Sequence, residues 1–66
     1  MKITVNGDLR HFASSLTLSE LLTALELNPQ HLVVEHNRLV VQRQAFETTP
    51  LKDGDIIELI EFVAGG

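Results

Sequence analysis

The sequence predicts an α+β fold, a mixed sheet of four to five strands covered on one face by one main helix. Three observations carry this. Apolar runs of strand length stand near both ends of the chain, at residues 3–5 and 56–63. Between them, residues 17–25 carry leucines at helical rather than strand spacing, and period is the primary signal of element type. The two end runs are also the most apolar segments, which places them side by side in the middle of the sheet, where strands are covered best. One helix on one face of a mixed sheet is the α+β arrangement.

The elements follow in order. Residues 2–5 alternate, with Ile3 and Val5 on one face and Lys2 and Thr4 on the other, and Asn6-Gly7 is the strongest short hairpin signal. The returning strand, residues 9–13, has Leu9 and Phe12 out of strict alternation, which predicts an edge position or a bulge. Thr17 and Glu20 have capping-box spacing, and Leu16 and Leu21 stand where a hydrophobic staple closes a helix start. Leu18, Leu21, Leu22 and Leu25 then form one apolar stripe. Asn28-Pro29 is expected to end the helix, because Asn tolerates the left-handed conformation and Pro cannot continue it.

Residues 32–36 read as a strand with Leu32 and Val34 inward, and Asn37-Arg38 as a turn into a short strand at residues 39–41. Residues 42–50 are irregular, with one helical turn that sets Phe46 in the core. Gly54 sits in a turn that calls for positive φ. The last strand is apolar on both faces apart from Glu58 and Glu61, which marks an interior strand.

Sixty-six residues make a single domain, 1–66, with residues 64–66 as a flexible tail. A chain of this size buries only about 60% of its unfolded surface, too little to wall a deep catalytic cleft. With 44% hydrophobic and 21% charged residues the composition is globular, and the absence of Cys excludes disulfides and thiolate chemistry. No segment approaches the length of a membrane span and the start is too short for a signal peptide, so a cytoplasmic protein without a membrane partner is expected. A net charge of -4 argues against nucleic acid and for basic protein surfaces as the complement.

The sequence closes on Ala64-Gly65-Gly66, directly after the most apolar strand. An α-carboxyl group ionises at about pH 3.5, so at neutral pH it is an anion and a poor electrophile. Lacking a Cβ, Gly65 and Gly66 let the backbone enter a narrow channel and bend there. Extended, Ala64 to Gly66 would reach roughly 10 Å beyond the strand.

Several stretches together resemble the ThiS family of thiamine sulfur carriers, within the ubiquitin-like β-grasp proteins. They are Ile3-Thr4-Val5-Asn6-Gly7, Thr17-Leu18-Ser19-Glu20-Leu21-Leu22, Glu35-His36-Asn37 with Val40-Val41-Gln42-Arg43, Leu51-Lys52-Asp53-Gly54-Asp55-Ile56-Ile57-Glu58, and Gly65-Gly66. The likeness runs the whole length. Gln42, Phe46 and His36 depart from it, standing where the family often has Pro, Trp and an aliphatic residue. The resemblance implies a β-grasp fold and a reactive C-terminal carboxylate on Gly66. A ThiF-like enzyme, using ATP and Mg²⁺, adenylates that group; sulfur from a persulfide donor replaces AMP, and the thiocarboxylate delivers it to a ThiG-like thiazole synthase. The carrier itself binds no cofactor or metal and acts as a co-substrate. Other readings of the same tail are a MoaD-like carrier for molybdopterin synthase, a ubiquitin-like modifier of lysines, and a docking module with an idle tail.

Ile60 and Phe62 share a strand face opposite Ile57 and Leu59, and either present an apolar patch to partners or lie under loops. Asp53, Asp55, Glu58 and Glu61 are expected to cluster near the tail, as a steering field for a basic groove or as a solvated acidic face. His11, His31 and His36 lack metal-ligand spacing, and Arg43 is a surface contact or a partner contact.

Overall fold

The Asn-Gly hairpin, the capped leucine stripe and the two apolar end strands assemble as their patterns require. A computed structural model describes residues 1–63. Its elements are β1 (Lys2–Val5), β2 (Asp8–His11), α1 (Leu18–Ala24), β3 (Leu32–His36), β4 (Leu39–Val41) and β5 (Ile56–Glu61), with short 3-10 turns at Pro29–His31 and Arg43–Thr48. The sheet has five strands in the order β2-β1-β5-β3-β4. β1 and β5 run parallel, with Thr4 opposite Ile56 and Val5 opposite Ile57. The other pairings are antiparallel. The two end segments of the described chain thus lie at the centre, as their apolar content predicts.

Both hairpins turn on consecutive positive-φ residues. Asn6 and Gly7 sit at φ 49° and 84°, Asn37 and Arg38 at 51° and 73°. Turns of this kind match the right-handed twist of the strands they join. In the second one Arg38, a residue with a Cβ, takes the strained place usually left to Gly. β2 lies at the edge, and its register with β1 is regular, without a bulge. Phe12 falls just past β2, where its N–H continues the pairing onto the Met1 carbonyl.

Helix α1 starts on the expected capping box. The Glu20 N–H donates to Thr17 Oγ1 at 3.2 Å while the Thr17 N–H donates to Glu20 Oε1 at 2.8 Å. A third free donor, the Leu18 N–H, is taken by the Thr49 carbonyl. Leu18, Leu21 and Leu22 are buried against Ile3, Val5, Val34 and Ile57 of the sheet, and Phe46 and Leu51 close the core beside them. Those sheet residues alternate with exposed or half-buried ones, so one face packs on the helix and the other is open.

The helix end differs from the expectation. It stops at Ala24, with Leu25 as the cap, and the left-handed residue is Glu26 at φ 59°. The Leu27 N–H reaches back to the Leu22 carbonyl and the Glu26 N–H to that of Thr23, both 3.0 Å. This is a Schellman closure, with Leu27 packed on the core as its apolar partner. Asn28 has φ −85° instead, and its side chain caps the following 3-10 turn by accepting the Gln30 N–H. Glu occupies the site where a glycine would signal the C-terminus, so the helix ends ahead of the Asn28-Pro29 stop that the sequence predicts.

Glu26→Gly should therefore stabilise the protein by about 0.5–1 kcal/mol, since it removes the Cβ clash of a left-handed residue and restores the favoured cap. Thermal unfolding should rise by several degrees; an unchanged or lower midpoint contradicts the assignment of strain to this position.

Candidate functional site

The site is built at the exit of β5, because the segment leaving this central strand leads to the closing glycines. Two neighbours hold the exit from either side. On the β3 side, the Phe62 N–H donates to the His31 carbonyl at 2.9 Å, one step beyond the register pair Leu32 and Glu61. On the β1 side the last register pair is Val5 with Ile57 and the last backbone hydrogen bond runs from the Asn6 N–H to the Ile57 carbonyl, after which the chain turns away. Asn6 takes over. Its Oδ1 accepts the Leu59 N–H at 2.7 Å and its Nδ2 donates to the Leu59 carbonyl at 3.2 Å. A side-chain amide carries one donor and one acceptor, as a peptide group does, so it replaces the rung that the hairpin removes. Sequence reasoning saw in Asn6 only a turn former. The available hint is that of Asn, Asp and Gly, which all suit the turn, only Asn offers both hydrogen-bonding functions.

Beyond this grip the strand end is open to solvent. Ile60 is 50% exposed, Phe62 43% and Val63 85%. Phe62 borders a shallow groove with Val33, Val40 and Arg43, and a second one with His31, Glu61 and Val63. Ile57 is buried and Leu59 half-buried on the opposite, helix-facing side. Ala64, Gly65 and Gly66, the predicted tail and attachment point, lie outside the described residues. Among the described residues no helix is long and apolar enough to cross a membrane, and no group of His, Cys, Asp and Glu is placed to hold a metal ion.

The expected acidic cluster does not form. Glu58 is on the open face of the sheet, whereas Glu61 belongs to the register of the helix-facing residues and stands opposite Leu32. Asp53 and Asp55 precede β5, at the far end of a six-residue strand. At about 3.3 Å per residue that separates them from the exit by roughly 20 Å. Proximity in sequence overstated their proximity in space because an extended strand carries its ends apart.

Asp55 is instead a structural anchor. It is the only buried charged residue among those described, and its carboxylate accepts hydrogen bonds from His36 Nε2 at 2.7 Å, the Lys52 N–H at 2.8 Å and Asn37 Nδ2 at 3.1 Å. Asn37 also accepts the Ile56 N–H. Together these tie the β3–β4 turn to the start of β5. Burial acts to raise the Asp55 carboxyl, but the hydrogen bonds from His36, Lys52 and Asn37 outweigh it and hold the group below its ordinary value of 3.8. His36, half-buried in the fold, is thereby explained as a partner of Asp55.

The ThiS family model matches residues 3–66. The chain belongs to the ThiS family. The crystal structure of the thiamine biosynthesis protein ThiS from Geobacter metallireducens superposes with a TM-score of 0.87 at 40% identity, covering 100% of both chains. The mixed five-stranded sheet with one main helix is thus the β-grasp architecture of its ThiS neighbours. The sulfur carrier protein ThiS of Bacillus subtilis is 29% identical over 97% of this chain and 98% of its own. A thiazole synthase of Paramagnetospirillum magneticum is 33% identical over the whole chain, which spans only 20% of that protein's length.

Two outcomes test the geometry. Asn6→Gly keeps the turn conformation but removes the clamp; it should cost about 1–2 kcal/mol for two lost hydrogen bonds and speed exchange of the Leu59 amide by about tenfold. Asp55→Asn should lower stability at neutral pH by about 2 kcal/mol, as charged hydrogen bonds in a buried site are lost. Because the folded Asp55 ionises below its unfolded value, its contribution is present above about pH 4 and disappears as the pH falls through and below that value. The variant's stability should accordingly be flatter than the parent's below pH 4, and an identical acid limb contradicts the anchor role.

Proposed function

We propose that this chain is a sulfur carrier for thiazole formation in thiamine biosynthesis, with the Gly66 carboxylate as the reacting group. The observation that carries it is the ThiS family match through residue 66, joined to a strand end that is gripped to Leu59 and Phe62 and exposed beyond. The whole of residues 1–66 then works as one domain in the cytoplasm, and the chain acts as a co-substrate and not as an enzyme.

The chemistry assigns the catalytic work to partners. A ThiF-like enzyme would bind ATP and Mg²⁺ and let the Gly66 carboxylate attack the α-phosphorus, releasing pyrophosphate. The acyl adenylate is an electrophile where the carboxylate was not. The terminal sulfur of a persulfide donor attacks its carbonyl carbon and AMP leaves, forming an acyl disulfide bond that a second thiol reduces. The thiocarboxylate remains on Gly66, ready to pass sulfur to a ThiG-like thiazole synthase. Ala64 and Gly65 would occupy the narrow approach to each active site, and Ile60, Phe62, Glu58 and Glu61 the surrounding contact surface. The relatives' names support this division of labour, one being a thiazole synthase that includes a segment similar to this chain.

Incubation with a ThiF-like enzyme, ATP, Mg²⁺ and a persulfide donor should change the intact mass by replacement of one oxygen with one sulfur. A chain extended by one residue after Gly66 should fold normally and show no replacement. An unchanged mass with an enzyme shown to be active rejects the proposal, and lysine-linked adducts in a cell extract would redirect it to a protein modifier.

A further inference from the structure

Two carboxylates face each other on the side of the sheet that the helix leaves bare. Glu35 of β3 and Glu58 of β5 are direct register partners. In an antiparallel pair this sets their Cβ atoms about 4.5–5.5 Å apart on one face. Val40 flanks Glu35 from β4. Ile56, Ile60 and Val33 are the neighbours before and after on the same face, and all four apolar residues are exposed. Among the described residues the one ion pair is His36 with Asp55, so neither Glu35 nor Glu58 meets a cation within the fold. Like charges directly opposite destabilise a sheet. The free protein therefore carries a repulsive pair in the middle of an apolar surface.

We propose that this face docks the thiazole synthase through a Lys or Arg side chain seated between Glu35 and Glu58, with aliphatic contacts on Val33, Val40, Ile56 and Ile60. This rests on the carrier function proposed above and names what its docking face recognises. Charge complementarity selects the occupant. A single cation turns one repulsion into two attractions, and the apolar surround excludes water that would weaken them. A purely apolar surface would desolvate both carboxylates with nothing in return. A second copy meeting the same patch would bring four carboxylates together, since a two-fold interface opposes each patch to itself. The location also suits the task, because Ile60 and Glu58 lie on the strand that leads to the tail.

The signature is an opposition between stability and affinity. Glu35→Gln and Glu58→Gln should each raise the melting temperature by about 1–4 °C as the repulsion is removed. Each should weaken binding to the thiazole synthase of the same organism by about tenfold, with a smaller salt dependence than the parent shows. Glu47→Gln, an exposed acid outside this face, controls for net charge and should do neither. Ile60→Asp probes docking on the face as a whole. If the two Gln variants bind as the parent does while Ile60→Asp abolishes binding, the face docks without a cation seat and the proposal falls. If Ile60→Asp also binds normally, the synthase uses another surface and the proposal falls with it. Either result leaves the carrier function standing, which the mass measurement judges separately, since thiocarboxylate formation needs no thiazole synthase.

Discussion

The parallel pairing of β1 with β5 is the interaction on which the rest depends. Its hydrogen bonds join residues some fifty positions apart, from the Thr4 N–H to the Asp55 carbonyl and from the Asn6 N–H to that of Ile57. Parallel neighbours cannot be joined by a hairpin, so a crossover must cover one face of the sheet. Here α1 does so. Ile3, Val5 and Ile57 come together under Leu18, Leu21 and Leu22 only when this pairing forms. In a chain so short, with little surface to spare, that contact is the core.

The same pairing shapes the exit of β5. β5 outruns β1, because the Asn6-Gly7 hairpin turns β1 back after Val5. The strand would lose its neighbour at the point where it must aim the exit. The Asn6 amide supplies the missing rung on one side and His31 the last rung on the other. Up to Phe62 the backbone is held, and Val63 is largely in solvent. At the opposite end, Asp55 and Asn37 secure the start of the strand, so β5 is pinned along its length.

Much of this fold was legible because each local signal agreed with the global arrangement. The Asn-Gly turn, the Thr17–Glu20 box, the inward residues Leu32 and Val34, the buried Phe46 and the positive φ of Gly54 stand where their patterns put them. The failures share a cause. Glu26 in the left-handed cap site is held against its own preference by the Schellman hydrogen bonds on either side of it. Asp55 resembled its acidic neighbours in the sequence, yet His36 and Asn37, nearly twenty residues away, make it a buried anchor.

By itself the sequence determined the element types, their order, the central place of the two end strands and the resemblance that led to the ThiS family. Those follow from periodicity, turn chemistry and composition, which act over a few residues at a time. Only the tertiary structure decided that Asn6 grips Leu59, that Asp55 lies far from the strand exit, and that Glu35 opposes Glu58 on an uncovered face. Each of these depends on register between strands distant in the chain, and register is set by which faces must be buried together.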